Sequence, residues 1–184
     1  KMMRLFWYDI AATSIFTIEA FEAYSHYYIL RRYLDEVKYK PITDDEIIQL
    51  RKGAKDAVFT DEIKELVNFM GTEHFAAEFF DDVREITTEP ILKKMLPNFV
   101  KQERSHSQFA FDLIKARIDK NLTLKESVLE HARQYQHIGS YVLPTVLPAK
   151  EDNIKIIEGF NKKIERLVGT RLSKARLTAT TKKL

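Results

Sequence analysis

Glu103 and His106 have the spacing of two metal ligands on one face of a helix. They stand three residues apart in a segment with helical periodicity, residues 100–113, so their side chains leave the predicted helix one turn apart. Phe99 and Leu113 extend the same stripe, which places the pair in apolar surroundings. A buried carboxylate is unfavourable there, and a bound cation would stabilise it. The spacing therefore indicates a metal site, although the same pair also occurs as a surface contact or a hydrogen-bonded core histidine.

Two further predicted helices carry acidic or imidazole groups on apolar stripes. Glu73 is the single acid on one such face, whose other members are Leu66, Phe69, Met70, Ala77 and Phe80. Glu19, Glu22 and His26 follow one another at steps of three and four on the core-facing side of the first long helix. Bundle di-iron sites use this kind of set, two lone glutamates with two Glu-x-x-His pairs. Carboxylates and imidazoles without thiolate suit iron or manganese, and zinc stays open.

Other polar residues are interpreted as structural. His74 and Glu78 fall on the flank of their helix with Asp81, and we expect them to be solvated. His131 and His137 stand near the end of a later helix and are expected to be core or surface residues. A buried glutamate paired with arginine would give the metal-free interpretation of the remaining acids.

Length and composition bound the class of protein. The sequence has 184 residues with 45% hydrophobic content, enough to bury one sizeable core, and no cysteine, so we expect one helical-bundle domain over residues 1–168. The absence of cysteine excludes disulfides, thiolate metal sites and a cysteine nucleophile. No apolar run reaches the roughly 18 residues of a membrane span, and no signal peptide is recognisable. A cytoplasmic protein without a membrane segment is expected.

The formal net charge of +3 is concentrated at the C-terminus. Residues 169–184 form a basic tail without an acid, whose cations are Arg171, Lys174, Arg176, Lys182 and Lys183. Such a tail is typical of a solvated chain end, and an acidic partner protein is the other interpretation. No nucleic-acid motif is present, so a nucleic-acid partner is not expected.

Prolines and capping residues divide the chain into helices. The predicted helices span about residues 5–37, 43–58, 60–86, 123–139 and 153–168, with a further one from Pro90 through the Glu103 segment and an extended connector at 141–148. Thr43 and Glu46 form a capping-box pattern, and Thr60 is the predicted cap of the next helix. Pro90 suits a first helical turn, whereas Pro97 is expected to bend the helix. No strand pattern is found, and the predicted fold is all-α.

The motifs resemble those of the soluble acyl-carrier-protein desaturases, a family of the ferritin-like di-iron superfamily, over residues 18–147. The sequence Gln-Glu-Arg-Ser-His at 102–106 resembles the family's second Asp-Glu-x-x-His motif, and Glu73 stands at its lone bridging-type Glu. The sequence Glu-Ala-Tyr-Ser-His at 22–26, followed by Arg-Tyr-Leu at 32–34, resembles the first Glu-Glu-x-x-His motif, with Ala23 in place of the liganding Glu. Residues 135–144 are similar to a Phe-Gln-Met-Pro-Gly segment of bacterial members. The family takes another Glu from a preceding helix, so a fragment, a shortened member and a remodelled site are all open.

The resemblance implies a ferritin-like bundle and an oxygen-dependent oxidase or desaturase that acts on a fatty acyl thioester. It further implies two iron ions (manganese being possible), an acyl carrier protein as substrate carrier, a ferredoxin-like electron donor and a homodimer. The expected metal ligands are Glu22, His26, Glu73, Glu103 and His106, with Glu19 as a possible sixth.

Three other functions use the same residues. Glu19 and His26 are seven apart, which is similar to the heme-oxygenase-like di-iron oxidases, although Phe99 occupies the position of a histidine in their last motif. A second alternative is a ferritin-like bundle that has lost catalysis and serves in binding or structure. An iron store or ferroxidase is the third.

Overall fold

The computed structural model describes residues 2–53, 61–135 and 151–172, and none of these lies in a strand. Their helices are α1 Met2–Leu5, α2 Ile10–Glu36, α3 Asp44–Gly53, α4 Glu62–Ile86, α5 Pro90–Lys120, α6 Leu124–Gln134 and α7 Glu151–Val168. The all-α prediction is confirmed. Thr60, His137, the 141–148 connector and most of the basic tail lie outside the described residues. Within the described part of the chain, no helix combines the length and the apolar character needed to cross a membrane.

The chain forms two compact units, Lys1–Thr60 and Asp61–Leu184. The first unit contains α1 to α3, and the second contains α4 to α7. The single domain over residues 1–168 stays a prediction.

The first long helix is broken near its start, where the sequence predicted a continuous helix from Leu5. Helix α2 begins after Asp9 because the carboxylate of this residue caps it, accepting a hydrogen bond from the Ala12 N–H at 3.0 Å. An aspartate before a helix is a strong N-cap. The rings of Phe6 and Phe16 stack across the break at 5.4 Å, and both are buried.

Helix α2 does not bury the whole face that the sequence periodicity predicts at steps of three and four, which comprises Ile15, Ile18, Glu22, His26, Ile29, Leu30 and Tyr33. Phe16 and His26 are buried, but Ile18 is 51% exposed and Ile29 is 40% exposed. A step of two residues turns about 200° around a helix, so Ile18 lies on the side opposite Phe16. The predicted stripe was therefore too wide in this helix.

Helix α3 begins with the predicted capping box. The Thr43 N–H donates to Glu46 Oε2 at 2.8 Å, and the Glu46 N–H donates to Thr43 Oγ1 at 3.2 Å. The hydrogen bond from the Thr43 backbone lowers the pKa of Glu46 below its usual range. An ion pair of 2.7 Å between Arg31 and Asp44 joins α2 to α3.

Helices α4 and α5 form an antiparallel pair in the second unit. Only residues 87–89 separate them, and such short connections place helices side by side in opposite directions. Glu62 at the start of α4 contacts Arg117 near the end of α5 at 3.3 Å. At the other end the rings of Phe80 and Phe99 lie 5.4 Å apart. Residues at equal distances from the connection therefore face one another.

The caps of this pair differ in part from the sequence prediction. Asp61 caps α4 by accepting from the Lys64 N–H at 3.0 Å. The end of α4 at Ile86 and the place of Pro90 in the first turn of α5 agree with the prediction. Helix α5 continues through Pro97 to Lys120.

Helices α6 and α7 complete the bundle of the second unit. Both pack on α4, on α5 and on each other. Gly71 permits a close approach, since a Cβ there would lie 2.5 Å from the ring of Tyr135 at the end of α6. Helix α7 ends at Val168 as predicted, followed by Gly169 with a φ of 75°. The fully buried core includes Leu66, Val67, Leu96, Phe99, Ile114, Val128 and Ile164.

Candidate metal centre

Glu73, Glu103 and His106 converge inside the second unit. The His106 Nδ1 atom lies 3.1 Å from Glu103 Oε2 and 3.3 Å from Glu73 Oε2. One possible ligand atom of each residue lies within 4.8 Å of the other two. The prediction that α4 and α5 direct these three groups to a common interior is confirmed.

The three side chains are almost completely shielded from solvent. His106 is 1% exposed, Glu103 is 7% exposed and Glu73 is 8% exposed. Their neighbours along the two helices include buried Met70 and Phe99. A proton on Nδ1 can be donated to one carboxylate oxygen at a time, whereas a cation at this position would be bound by all three groups.

The helix geometry explains this convergence. Glu103 and His106 leave α5 one turn apart, and Glu73 faces them from α4 because the antiparallel pair aligns these positions. The Ser107 hydroxyl fixes the alignment next to the cluster by donating to the Met70 carbonyl of α4 at 2.9 Å. Met70 is one turn before Glu73, so this bond sets the register of the two ligand-bearing helices.

Helix α7 adds a cation to the same hydrogen-bond chain. The Lys163 ammonium donates to Ser107 Oγ at 2.7 Å, and burial lowers the pKa of Lys163. Neither residue was predicted from the sequence. Ser107 follows Glu103 by four positions and so belongs to the buried side of α5, a signal that was present, whereas nothing in the sequence paired it with α7.

The expected solvation of His74 is wrong. The side chain is 8% exposed, and its Nε2 lies 2.9 Å from the Ile156 carbonyl of α7, to which it donates. Its ring stacks on Phe160 with centroids 6.4 Å apart, and Gly159 leaves space for it. Burial lowers the pKa of His74, which favours the neutral ring. Helix α7 covers the flank that the sequence assigned to solvent.

The other residues on this flank of α4 are partly exposed, as the sequence analysis expected. Glu78 and Asp81 accept from the Arg104 guanidinium at 3.4 and 2.7 Å. His131 on α6 lies with its Nε2 3.0 Å from Asp61 Oδ2, a contact at the start of α4. Glu78 and Asp81 therefore form ion pairs with Arg104, and His131 contacts Asp61.

Glu19, Glu22 and His26 lie on α2 of the first unit. His26 is buried, and the two glutamates are half-buried. Their part in metal binding stays a prediction.

The donor set of the cluster fits a transition-metal ion. Two carboxylates and an imidazole are ligands that iron, manganese and zinc accept. Ligands that bind one ion at about 2.0–2.2 Å lie roughly 3–4 Å from one another. The observed separations of 3.1 and 3.3 Å between ring nitrogen and carboxylate oxygens lie within this range.

Comparisons with protein-family models, with curated proteins and with solved structures found no match for this chain.

Proposed function

We propose that the second unit binds iron through Glu73, Glu103 and His106, and that the protein is a di-iron, oxygen-dependent oxidase or desaturase. The observation that carries this proposal is the convergence of three ligand atoms within 4.8 Å between two adjacent helices. Almost complete burial supports it, because a water-poor site protects reactive oxygen chemistry from side reactions.

When bound, iron supplies the one-electron and dioxygen chemistry that protein side chains lack. The chain contributes the ligands and their alignment. Glu73 and Glu103 provide negative charge that holds the ion, and His106 provides the neutral nitrogen ligand. Ser107 keeps α4 and α5 in the register that brings the ligands together. Phe99 helps to exclude water from this part of the core.

Three ligands suffice for one ion, whereas a two-iron centre requires more. We propose Glu22 and His26 as the additional ligands, with Glu19 as the alternative glutamate, on the basis of the motif resemblance. Manganese is the second choice of metal because it accepts the same donors.

The substrate and partners are proposed from the same resemblance. The substrate class is a fatty acyl thioester on an acyl carrier protein, the electron donor is ferredoxin-like, and the assembly is a homodimer. Exposed apolar side chains in the first unit support a protein partner of some kind; Trp7, Ile10, Phe21, Tyr24 and Tyr28 are each more than half exposed.

The test of the metal proposal is iron content after anaerobic loading with ferrous iron and removal of excess metal. We expect two iron ions per chain if the α2 residues contribute and one if they do not. Glu103→Ala should abolish binding, whereas Glu130→Ala, at an exposed position of α6, should leave it unchanged. A folded wild-type chain that retains no metal would refute the proposal.

Two variants separate the alternatives within α2. Loss of one iron in Glu22→Ala but not in Glu19→Ala favours the desaturase-like ligand set, and the reverse favours the heme-oxygenase-like set. Oxygen consumption coupled to loss of an added acyl thioester supports the oxidase. Iron oxidation without acyl turnover would identify an iron store or ferroxidase.

A structural bundle without a metal is the second candidate. The hydrogen-bond distances from His106 to both carboxylates favour it, because a protonated imidazole can be held by these groups. This function predicts that His106→Gln, which keeps a hydrogen-bond donor, preserves the fold and that metal has no effect on thermal unfolding.

A further inference from the structure

A second site lies on the outer side of the α4–α5 pair. A groove of about 440 Å³ is lined there by Arg84 from α4 and by Lys101, Arg104 and Gln108 from α5. Ligand sites in proteins commonly have volumes of about 300–1,000 Å³. The groove is therefore large enough for a small organic molecule, and all its lining residues belong to the second unit.

Cationic groups predominate in this groove. Its lining contains three cations, Arg84, Lys101 and Arg104, and one acid, Asp81. Longer contacts join Arg104 to Glu78 at 3.4 Å and Arg84 to Glu85 at 3.7 Å, but neither glutamate lines the groove. Counting these two glutamates, the three cations of the lining are matched by three acids, so an anion would be held by the remaining guanidinium N–H donors and the Lys101 ammonium and not by a net charge.

Asp81 holds the two arginines side by side. Its Oδ1 lies 2.6 Å from one terminal nitrogen of Arg84, and its Oδ2 lies 2.7 Å from one of Arg104. Each guanidinium has five N–H donors, so these contacts use only part of the donor capacity. The Arg84 Nε is buried and has no acceptor among the described residues. The guanidiniums are thus fixed in place. Both side chains stay partly exposed, so their remaining terminal N–H groups, and not the buried Arg84 Nε, are the donors left for a ligand.

We propose that this groove binds the phosphate group of a small phosphate ester. Planar guanidinium forks match phosphate oxygens in pairs, and lysine adds a point charge. Pro97 and Val100 supply an apolar wall for the uncharged part of the ligand. This site does not depend on the proposed iron centre.

The test is calorimetric titration of the full chain with inorganic phosphate and with glycerol 3-phosphate at constant ionic strength. Lys101→Gln should weaken binding about fivefold, the size expected for one solvent-exposed charge contact, and Lys101→Arg should restore it. The matched control is Lys94→Gln, which removes the same charge from an exposed position of the same helix outside the groove. The control should bind as the wild type does.

Two outcomes would overturn the proposal. One is the absence of Lys101-dependent binding to both phosphate compounds and to vesicles of phosphatidylglycerol, and the other is equal weakening by Lys101→Gln and Lys94→Gln, which would indicate a general charge effect. Vesicles of phosphatidylglycerol distinguish the source of the phosphate. Lys101-dependent binding to vesicles but not to glycerol 3-phosphate would identify a lipid headgroup, and the opposite result would identify a free ester. Thermal unfolding of each variant verifies that the chain is folded.

Discussion

The buried hydroxyl of Ser107 joins three helices, and its removal tests the packing that positions the candidate metal site. It donates to the Met70 carbonyl of α4 at 2.9 Å and accepts from the Lys163 ammonium of α7 at 2.7 Å. Ser107 itself is 0% exposed. We predict that Ser107→Ala lowers the free energy of unfolding and weakens metal binding at the adjacent His106.

The expected size follows from the two bonds. A hydrogen bond to a charged group contributes about 1.5–3 kcal/mol, and a neutral one about 0.5–1.5 kcal/mol. The Met70 carbonyl keeps its acceptor role within α4, and Lys163 is only half-buried, so water can replace part of the loss. We therefore expect a decrease of about 2 kcal/mol, equivalent to roughly 4–8 °C in melting temperature for a chain of this length.

Urea unfolding followed by circular dichroism measures this change. Ser107→Ala, Lys163→Met and the double variant form a cycle in which the coupling should be about 1 kcal/mol. The matched control is Ser105→Ala, because the Ser105 hydroxyl donates only to the Lys101 carbonyl of its own helix at 3.0 Å. The control should change the free energy of unfolding by no more than about 0.5 kcal/mol.

Two results would refute this reasoning. One is an equal effect of Ser107→Ala and Ser105→Ala on the urea midpoint. The other is strict additivity of the Ser107 and Lys163 substitutions, which would mean that the 2.7 Å contact contributes nothing. If the variant is destabilised but binds ferrous iron as tightly as the wild type, Ser107 serves the fold alone.

Three further predictions concern other contacts. Gly71→Ala should destabilise the second unit by about 1–3 kcal/mol, because the added Cβ overlaps the Tyr135 ring. A gain of about 1 kcal/mol in helix propensity opposes this loss. Thermal unfolding measures the net change, and Tyr135→Ala should remove the overlap. Burial lowers the pKa of His74 from 6.5, so His74 takes up a proton at a higher pH in the unfolded chain than in the folded chain. The free energy of unfolding should therefore fall as the pH decreases through about 6.5. His74→Gln should reduce that slope in unfolding experiments repeated across this pH range. Thr43→Ala should cost about 1 kcal/mol in the α3 cap, and hydrogen exchange at the Glu46 amide should become faster.

The sequence predicted the α4–α5 part of the site for a physical reason. Both helices have continuous apolar stripes, and the three-residue connection at 87–89 fixes their antiparallel order. Glu73 and His106 lie at similar distances along the chain from this connection, so pairing the stripes places them opposite one another. The register of α4 against α5 therefore follows from the short connection and the apolar stripes of these two helices alone.

The features that the sequence did not reveal depend on longer-range packing. His74 is covered by α7, and nothing in the residues before Glu151 specifies which flank of α4 this helix contacts. The same limit applies to the bond between Lys163 and Ser107. The phosphate groove requires Arg84 and Arg104 from two helices to share Asp81, a contact that the sequence pattern of either helix alone does not indicate.

The α4–α5 pair separates charges by face. Glu103 and Arg104 are neighbours in sequence, yet one residue turns about 100° around a helix, which directs the carboxylate inward to His106 and the guanidinium outward to Asp81. Salt screens charges at the exposed groove far more than charges in the buried cluster. Ligand binding that weakens steeply with ionic strength therefore belongs to the outer face, and binding that resists salt belongs to the buried one. With both proposed sites occupied, a single pair of helices would offer an anion and a cation two chemically separate places to bind.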